Sequence, residues 1–327
     1  MIKFFRQSYA IQYVVIALLA IALWIPAFAS GKMTMGLGSP VTPIFNLVDD
    51  LFDFSPIAQH IFAFILLVLE TLIFNAMLVK NQIVGKVSTM GAFVFVLLMS
   101  LTRTQTNFYP FALSAIFIIL AISKLYEMYQ MPNPEMSLLK TGVYIALASM
   151  CYFPSVLLVL WVIIVLPIAK KGTLRLQLIP LFGFLFVYFA YFIAVYLFGD
   201  FLPLMHAYRD HFASIKFSVE PFNLKIVFLL VILIVPTVLL LFGSSNANFE
   251  KSIAVRTKMS MSIVLLVFSI VLLFLGGNVL MNGLIFIAVS ILVSYAFSYI
   301  NNTGWANMFL VLFMMLVFAN QYYFKFL

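Results

Sequence analysis

LTRTQTNFYP, residues 101–110, places six consecutive polar side chains between two strongly apolar segments. The segment before it, GAFVFVLLMS, and the segment after it, FALSAIFIIL, contain no charged residue. A stretch of this kind is typical of a turn between two buried elements. The composition of the whole chain indicates whether those elements lie in water or in lipid.

The composition is that of a membrane protein. Of 327 residues 65% are hydrophobic and 9% are charged, and the mean hydropathy is +1.17. Apolar runs of about 20 residues recur along the chain. Lipid offers the backbone no hydrogen-bond partners, so a spanning chain forms helices or a closed barrel, and the strict alternation of a barrel is lacking. We expect an all-α polytopic membrane protein with one transmembrane domain over residues 1–327.

The apolar runs predict about ten or eleven crossings. They lie at residues 11–29, 58–79, 87–101, 109–123, 142–153, 155–169, 177–198, 224–242, 261–276, 278–298 and 305–323. The first run ends in AFAS, a pattern also found at signal-peptide cleavage sites, and is interpreted as an uncleaved span.

The basic residues predict the orientation. With a cytoplasmic N-terminus, twelve of the 18 Lys and Arg residues lie inside and six lie outside, at Lys32, Arg103, Arg209, Lys216, Lys225 and Lys325. This is the positive-inside bias, and it accounts for the pI near 9.5 without a nucleic-acid partner. We therefore expect a multi-pass protein of the bacterial inner membrane. The single Cys151 predicts neither a disulfide nor a metal cluster.

Two pairs of predicted spans are too short. Residues 87–123 and 142–169 are each too long for one crossing and too short for two of about 20 residues. Each pair is interpreted as a hairpin of short helices whose tip lies below the outer lipid surface. Polar backbone is tolerated there where it lines a protein or aqueous cavity.

The first outer loop, residues 30–57, contains TPIFNLVDDLFDF. Thr42 and Pro43 are typical of a helix start, and apolar and acidic residues then occupy opposite faces. We expect an amphipathic helix at the membrane interface with Asp49 and Asp50 on its polar edge. A solvated capping helix is the alternative to a functional site.

The second large outer loop, residues 199–223, carries His206, Arg209 and Asp210. On a helix, His206 and Asp210 would lie on one face, but their spacing indicates no third metal ligand. An Arg beside them suits a phosphate group. An ion pair on a solvated loop helix is the alternative.

Glu70 lies midway along the second predicted span, about 15 Å from either end. An ionisable group at that depth is costly and indicates a functional group or a packing partner. The alternative is a protonated carboxyl hydrogen-bonded to a neighbouring helix.

The first span, the long outer loop with Asp49 and Asp50, and the short hairpins resemble the C-type membrane glycosyltransferases over about two thirds of the chain. The resemblance implies transfer of a sugar from a polyprenyl-phosphate donor in the outer leaflet. Asp49 or Asp50 would be the base and Arg103 and Arg209 would bind the donor phosphate. The other polar groups expected at the substrate are Gln105, Asn107, His206, Asp210 and Glu70. Residues Ala146–Pro167 are also similar to an uncharacterised family of bacterial multi-pass membrane proteins.

Two other functions remain open at the level of sequence. A transporter or lipid flippase would use Glu70 as its coupling carboxylate. A non-catalytic subunit would bind envelope-complex proteins through its outer loops. The expected partners are membrane lipids and a polyprenyl-linked sugar. The cofactor stays undetermined, because a divalent metal suits phosphate chemistry but no ligand spacing indicates one.

Overall fold

The structure is a computed structural model. It describes residues 1–7, 9–30, 41–52, 55–85, 88–102, 105–199, 201–214, 237, 253–276, 282–300 and 303–324. Every regular element in these ranges is a helix, which confirms the predicted all-α class. Of the predicted span at 224–242, all but Thr237 lies outside the described residues.

The helices of the described residues follow one another in chain order. They are α1 (Ile2–Phe5), α2 (Ala10–Ser30), α3 (Pro43–Phe52), α4 (Pro56–Lys80), α5 (Met90–Met99), α6 (Pro110–Glu127), α7 (Glu135–Cys151), α8 (Leu158–Ile168), α9 (Leu174–Phe198), α10 (Phe201–Ser214), α11 (Ile253–Gly276), α12 (Asn282–Tyr299) and α13 (Thr303–Ala319). A 3₁₀ turn, Phe153–Leu157, precedes α8, and a π-helical turn, Asn320–Phe324, follows α13.

Six helices in the described ranges are long and apolar enough to cross a membrane. These segments are Ala10–Ala29, Ile57–Lys80, Pro110–Glu127, Leu174–Phe198, Ile253–Leu273 and Gly304–Tyr322. They confirm the membrane class. Their number is lower than the ten or eleven expected, because the predicted spans at 87–101, 142–153, 155–169 and 278–298 coincide with helices that do not meet this criterion.

Hydrogen bonds between distant segments join helix ends that the predicted topology assigns to the same side. At one end, buried Lys258 donates from Nζ to Oδ1 of Asn81 at 3.1 Å. At the other end, Asn320 donates from Nδ2 to the carbonyl of Leu101 at 2.7 Å. The packing is thus consistent with successive spans that cross in alternating directions. Which end of the molecule faces the cytoplasm stays a prediction.

Two glycines allow α7 and α9 to approach closely. A Cβ atom added at Gly142 would lie 1.9 Å from the carbonyl oxygen of Pro180, and one added at Gly183 would lie 2.3 Å from that of Leu139. Small residues at helix contacts in membranes let backbones come together in this way. The α7–α9 contact therefore depends on both glycines.

Replacing either glycine by alanine should destabilise the protein. In Gly142→Ala and Gly183→Ala the helices must move apart, at a cost of about 1–3 kcal/mol. Gly85→Ala is the matched control, because an added Cβ there meets nothing within 4 Å. Thermal unfolding of the purified protein in detergent should show a lower Tm for the first two variants only. Equal melting of all three would contradict the close packing of α7 on α9.

Candidate functional site

The candidate site lies at the end of the molecule where α4 begins. Ser55 caps this helix, accepting a hydrogen bond at its Oγ from the backbone N–H of Ala58 at 3.4 Å. A serine cap followed by a proline is a common helix start. It places Gln59 and His60 in the first turns of α4, where both side chains are buried.

The turn between α5 and α6 is held by side chains from the first and last long helices. Trp24 donates from Nε1 to Oγ of Ser100 at 3.2 Å. Asn320 and Gln321 donate to the carbonyls of Leu101 and Ser100 at 2.7 and 2.6 Å. Backbone carbonyls buried away from water need such partners. This explains how a polar turn is accommodated inside an apolar protein.

The polar side chains of the turn point into the protein. Thr102, Gln105 and Thr106 are buried, and Oδ1 of Asn107 accepts a hydrogen bond from Nε2 of His60 at 3.2 Å. Arg103, which was expected at the donor phosphate, lies outside the described residues. The predicted side chains Gln105 and Asn107 therefore belong to the interior around α4.

The two candidate catalytic acids occupy different environments. Asp49 is half-buried, and its Oδ1 accepts a long hydrogen bond of 3.5 Å from Nε2 of Gln59. Asp50 is exposed. Only Asp49 is directed towards the polar groups of α4.

Helix α3 buries one side against the turn and exposes another. Phe45 is 1% exposed and stacks on Phe108 of the turn with ring centroids 5.2 Å apart. Leu47 and Leu51 are 68% and 67% exposed. The position of α3 at a membrane interface stays a prediction.

The polar residues of α10 form an exposed group. Arg209 donates from both Nε and Nη2 to Oδ1 of Asp210, each at 3.3 Å. His206 is exposed as well. The guanidinium of Arg209, which was expected to bind a phosphate, thus pairs with the carboxylate of Asp210. Such an ion pair was the alternative to a functional site in the sequence analysis.

Tyr208 attaches α10 to the end of the molecule where α4 begins. It is 7% exposed, contacts the ring of Phe153, and donates from its hydroxyl to the carbonyl of Val41 at 3.5 Å. Burial, reinforced by the nearby phenols of Tyr188 and Tyr191, raises the pKa of Tyr208. Its hydroxyl therefore stays neutral and joins α10 to the segment that precedes α3.

The most distinctive group of polar side chains surrounds Glu70. Glu70 is 2% exposed and lines a small cavity between α2, α4, α5, the turn and α6. The residues that line this Glu70 cavity are Trp24, Ala63, Leu67, Glu70, Met99, Gln105, Asn107, Tyr109 and Ala112. The volume open to the centre of a water molecule is about 10 Å³, which is close to the minimum that one water needs.

Several polar atoms at this cavity have no hydrogen-bond partner within the described part of the chain. They are Oε1 of Glu70, both amide atoms of Gln105 and the hydroxyl of Tyr109. Buried polar atoms are nearly always paired, since leaving one unpaired costs about 1–3 kcal/mol. Three such side chains around one cavity indicate a place where a small polar species binds.

Two residues of the cavity were missed at the level of sequence. Tyr109 belongs to the same turn as Gln105 and Asn107, so its position beside that polar run was an available signal. Trp24 lies in the first apolar run, and no sequence pattern indicated that it reaches this cavity.

On the side away from the start of α4, Phe74 and Asn75 follow Glu70 along the helix, and their side chains are tightly packed or hydrogen-bonded. Phe74 is completely buried and stacks on Phe95, with ring centroids 4.6 Å apart. Asn75 donates to the hydroxyl of Tyr13 and the carbonyl of Ser88, both at 3.1 Å. The backbone N–H of Ala92 donates to its Oδ1 at 3.2 Å.

No group of three or more His, Cys, Asp or Glu side chains that could hold a metal ion occurs among the described residues. No protein-family model, curated protein or solved structure matches this chain.

A pair of tryptophan substitutions tests the anchoring of the turn. Trp24→Phe removes the hydrogen bond to Ser100, and a double-mutant cycle with Ser100→Ala should give a coupling of about 0.5–1.5 kcal/mol. Trp161→Phe is the matched control, because Trp161 is equally buried and its Nε1 has no partner in the described ranges. We expect a larger loss of Tm in Trp24→Phe than in Trp161→Phe. A cycle that shows no coupling would contradict this anchoring.

Proposed function

We propose that the chain is an ion-coupled membrane transporter in which Glu70 is the coupling carboxyl. The observation that carries this proposal is the set of unpaired polar atoms of Glu70, Gln105 and Tyr109 around one cavity. A carboxylate within a membrane protein is expensive to maintain and commonly marks an ion or proton pathway.

A series of polar contacts leads from the outer end towards the cavity. Asp49 contacts Gln59, the neighbouring His60 contacts Asn107, and Asn107 lines the cavity together with Glu70. Such a series provides hydrogen-bonding positions along which a proton or small cation can be exchanged. It supports loading of Glu70 from the end that carries α3.

The opposite side of Glu70 provides a barrier. The stacked rings of Phe74 and Phe95 are buried, and Asn75 is held by three hydrogen bonds. Access from that side requires these packed groups to separate. A site reached from one end and closed by packing on the other is the arrangement that alternating access needs.

The proposal includes a position in the membrane. The chain would lie in the bacterial inner membrane with its N-terminus in the cytoplasm, as the twelve-to-six distribution of its 18 basic residues favours. Helix α3 would lie at the outer interface, with the exposed Leu47 and Leu51 against lipid. The pairs α5–α6 and α7–α8 would be the two short hairpins.

Transfer of a sugar from a polyprenyl phosphate is the second candidate function. It is favoured by the contact of Tyr208 on α10 with Val41 before α3, which brings the two outer loops to the same end. It ranks second because Asp50 is exposed and Arg209 already pairs with Asp210. A buried base and a free guanidinium would suit that chemistry better.

Ion flux into proteoliposomes tests the first function. Vesicles containing the full chain, with an imposed potassium diffusion potential, should take up protons or Na⁺ faster than protein-free vesicles, as read by internal dyes. Glu70→Gln keeps the shape of the side chain but cannot ionise, and should reduce flux to the protein-free level. Asp49→Asn combined with Asp50→Asn should reduce it only in part, because Asp49 belongs to the series of polar contacts but is not the coupling carboxyl.

Glu135→Gln is the matched control for Glu70→Gln, since Glu135 is an exposed carboxylate paired with Arg175. Wild-type flux in Glu70→Gln would contradict the proposed function. Loss of sugar transfer in the double Asp variant, with transfer retained in Glu70→Gln, would establish the second candidate instead.

A further inference from the structure

We infer that the Glu70 cavity binds a single monovalent cation, Na⁺, in exchange for a proton. The inference rests on the proposed function, because it names the species that the coupling carboxyl takes. Binding of Na⁺ releases the proton of the Glu70 carboxyl and leaves a carboxylate–Na⁺ pair, so charge is conserved in the exchange.

The donor set is the first argument. Glu70 Oε1, Gln105 Oε1 and the hydroxyl oxygen of Tyr109 all have unused lone pairs within the described part of the chain. A protonated Glu70 carboxyl can donate to only one of the other two oxygens. A cation that contacts the three side chains would use a lone pair of each oxygen and leave the Gln105 N–H group as the remaining unpaired donor, and oxygen ligands are those that hard cations prefer.

The size of the cavity is the second argument. Its volume of about 10 Å³ for the centre of a water molecule accommodates one water-sized species. An organic substrate is far larger than this. The occupant is therefore a single small ion or a water molecule, and the electrostatics distinguish between these two.

The charge of the cavity is the third argument. Glu70 is the only carboxylate that the described residues place in the lining, and Leu67, Met99 and Ala112 belong to the apolar part of the wall. A monovalent cation neutralises one carboxylate. A divalent ion would leave a net positive charge in a medium of low polarity, which is unfavourable. No His or Cys of the described residues lines the cavity, so they provide none of the ligands that transition metals prefer.

The other titratable groups near Glu70 do not replace the cation. Among the described residues, the phenol of Tyr109 is the only other ionisable group in the lining, and α2 and α5 contribute Trp24 and Met99. Asp49 on α3 and His60 on α4 lie towards the outer end, where they contact Gln59 and Asn107. The described part of the chain places no lysine or arginine in the lining, so it provides the carboxylate with no fixed counter-charge there.

Thermal unfolding of the full chain in nanodiscs tests the inference. At alkaline pH and constant ionic strength, replacing choline chloride by NaCl should raise the Tm progressively, because a ligand that binds only the folded state stabilises it. KCl should raise it less. Since one proton competes with one Na⁺, the apparent affinity for Na⁺ should weaken by about tenfold per pH unit once the carboxyl is protonated.

Three variants make the result specific. Glu70→Gln should abolish the Na⁺-dependent rise in Tm, and Tyr109→Phe should weaken the apparent Na⁺ affinity several-fold while keeping the pH dependence. Tyr152→Phe is the matched control for Tyr109→Phe. Its hydroxyl is also buried without a partner in the described ranges, but Tyr152 does not line the cavity. The fluorescence of Trp24, which does line it, should change on addition of Na⁺ in the wild type.

The outcomes separate this inference from the proposed function. A Tm that does not change with Na⁺, or a Na⁺-dependent rise in Tm that persists in Glu70→Gln, would overturn the cation site. If proton flux depends on Glu70 but Na⁺ does not change the Tm, the protein is a transporter whose coupling ion is the proton. If Na⁺ raises the Tm but Glu70→Gln shows wild-type flux, the cation site exists and has no role in transport.

Discussion

The structure depends on one constraint: a polar group inside an apolar protein must find its partner within the protein. The turn at residues 100–109 meets it through Trp24, Asn320 and Gln321, which hold carbonyl and hydroxyl groups of the turn. Residues far apart in the sequence are thereby joined at one end of the molecule. Where the constraint is met, polar groups stabilise the fold; where it is not, they indicate a place for a ligand.

Two polar residues of α4 illustrate this contrast. Asn75 is buried and bonded to Tyr13, Ser88 and Ala92, so its side chain joins neighbouring helices. Glu70 lies five positions earlier, is equally buried, and has an oxygen without a partner in the described part of the chain. The two side chains are similarly buried but differ in their hydrogen-bond pairing, and for this reason we propose a structural role for Asn75 and a functional one for Glu70.

The sequence predicted the membrane class and most helix positions, because apolar runs and lipid thickness determine them. It also identified Glu70, Gln105 and Asn107, because polar side chains are unusual within or between such strongly apolar segments. It could not predict that Tyr109 and Trp24 join them, because side-chain direction in a turn depends on packing between distant helices. For the same reason it did not indicate that Phe45 is buried against Phe108 of the turn. The predicted roles of Asp50 and Arg209 rested on their places in the outer loops and on the family resemblance, and the sequence did not indicate that both side chains are exposed.

The chemical state of the Glu70 carboxyl is the most direct test of this account. Infrared difference spectra of the reconstituted protein, recorded while Na⁺ replaces choline, should show the loss of a protonated carboxyl C=O band and the gain of a carboxylate band. Both changes should be missing in Glu70→Gln. A spectrum without carboxyl bands, or one that is unchanged by Glu70→Gln, would contradict the assignment of Glu70 as the group that exchanges its proton for a cation.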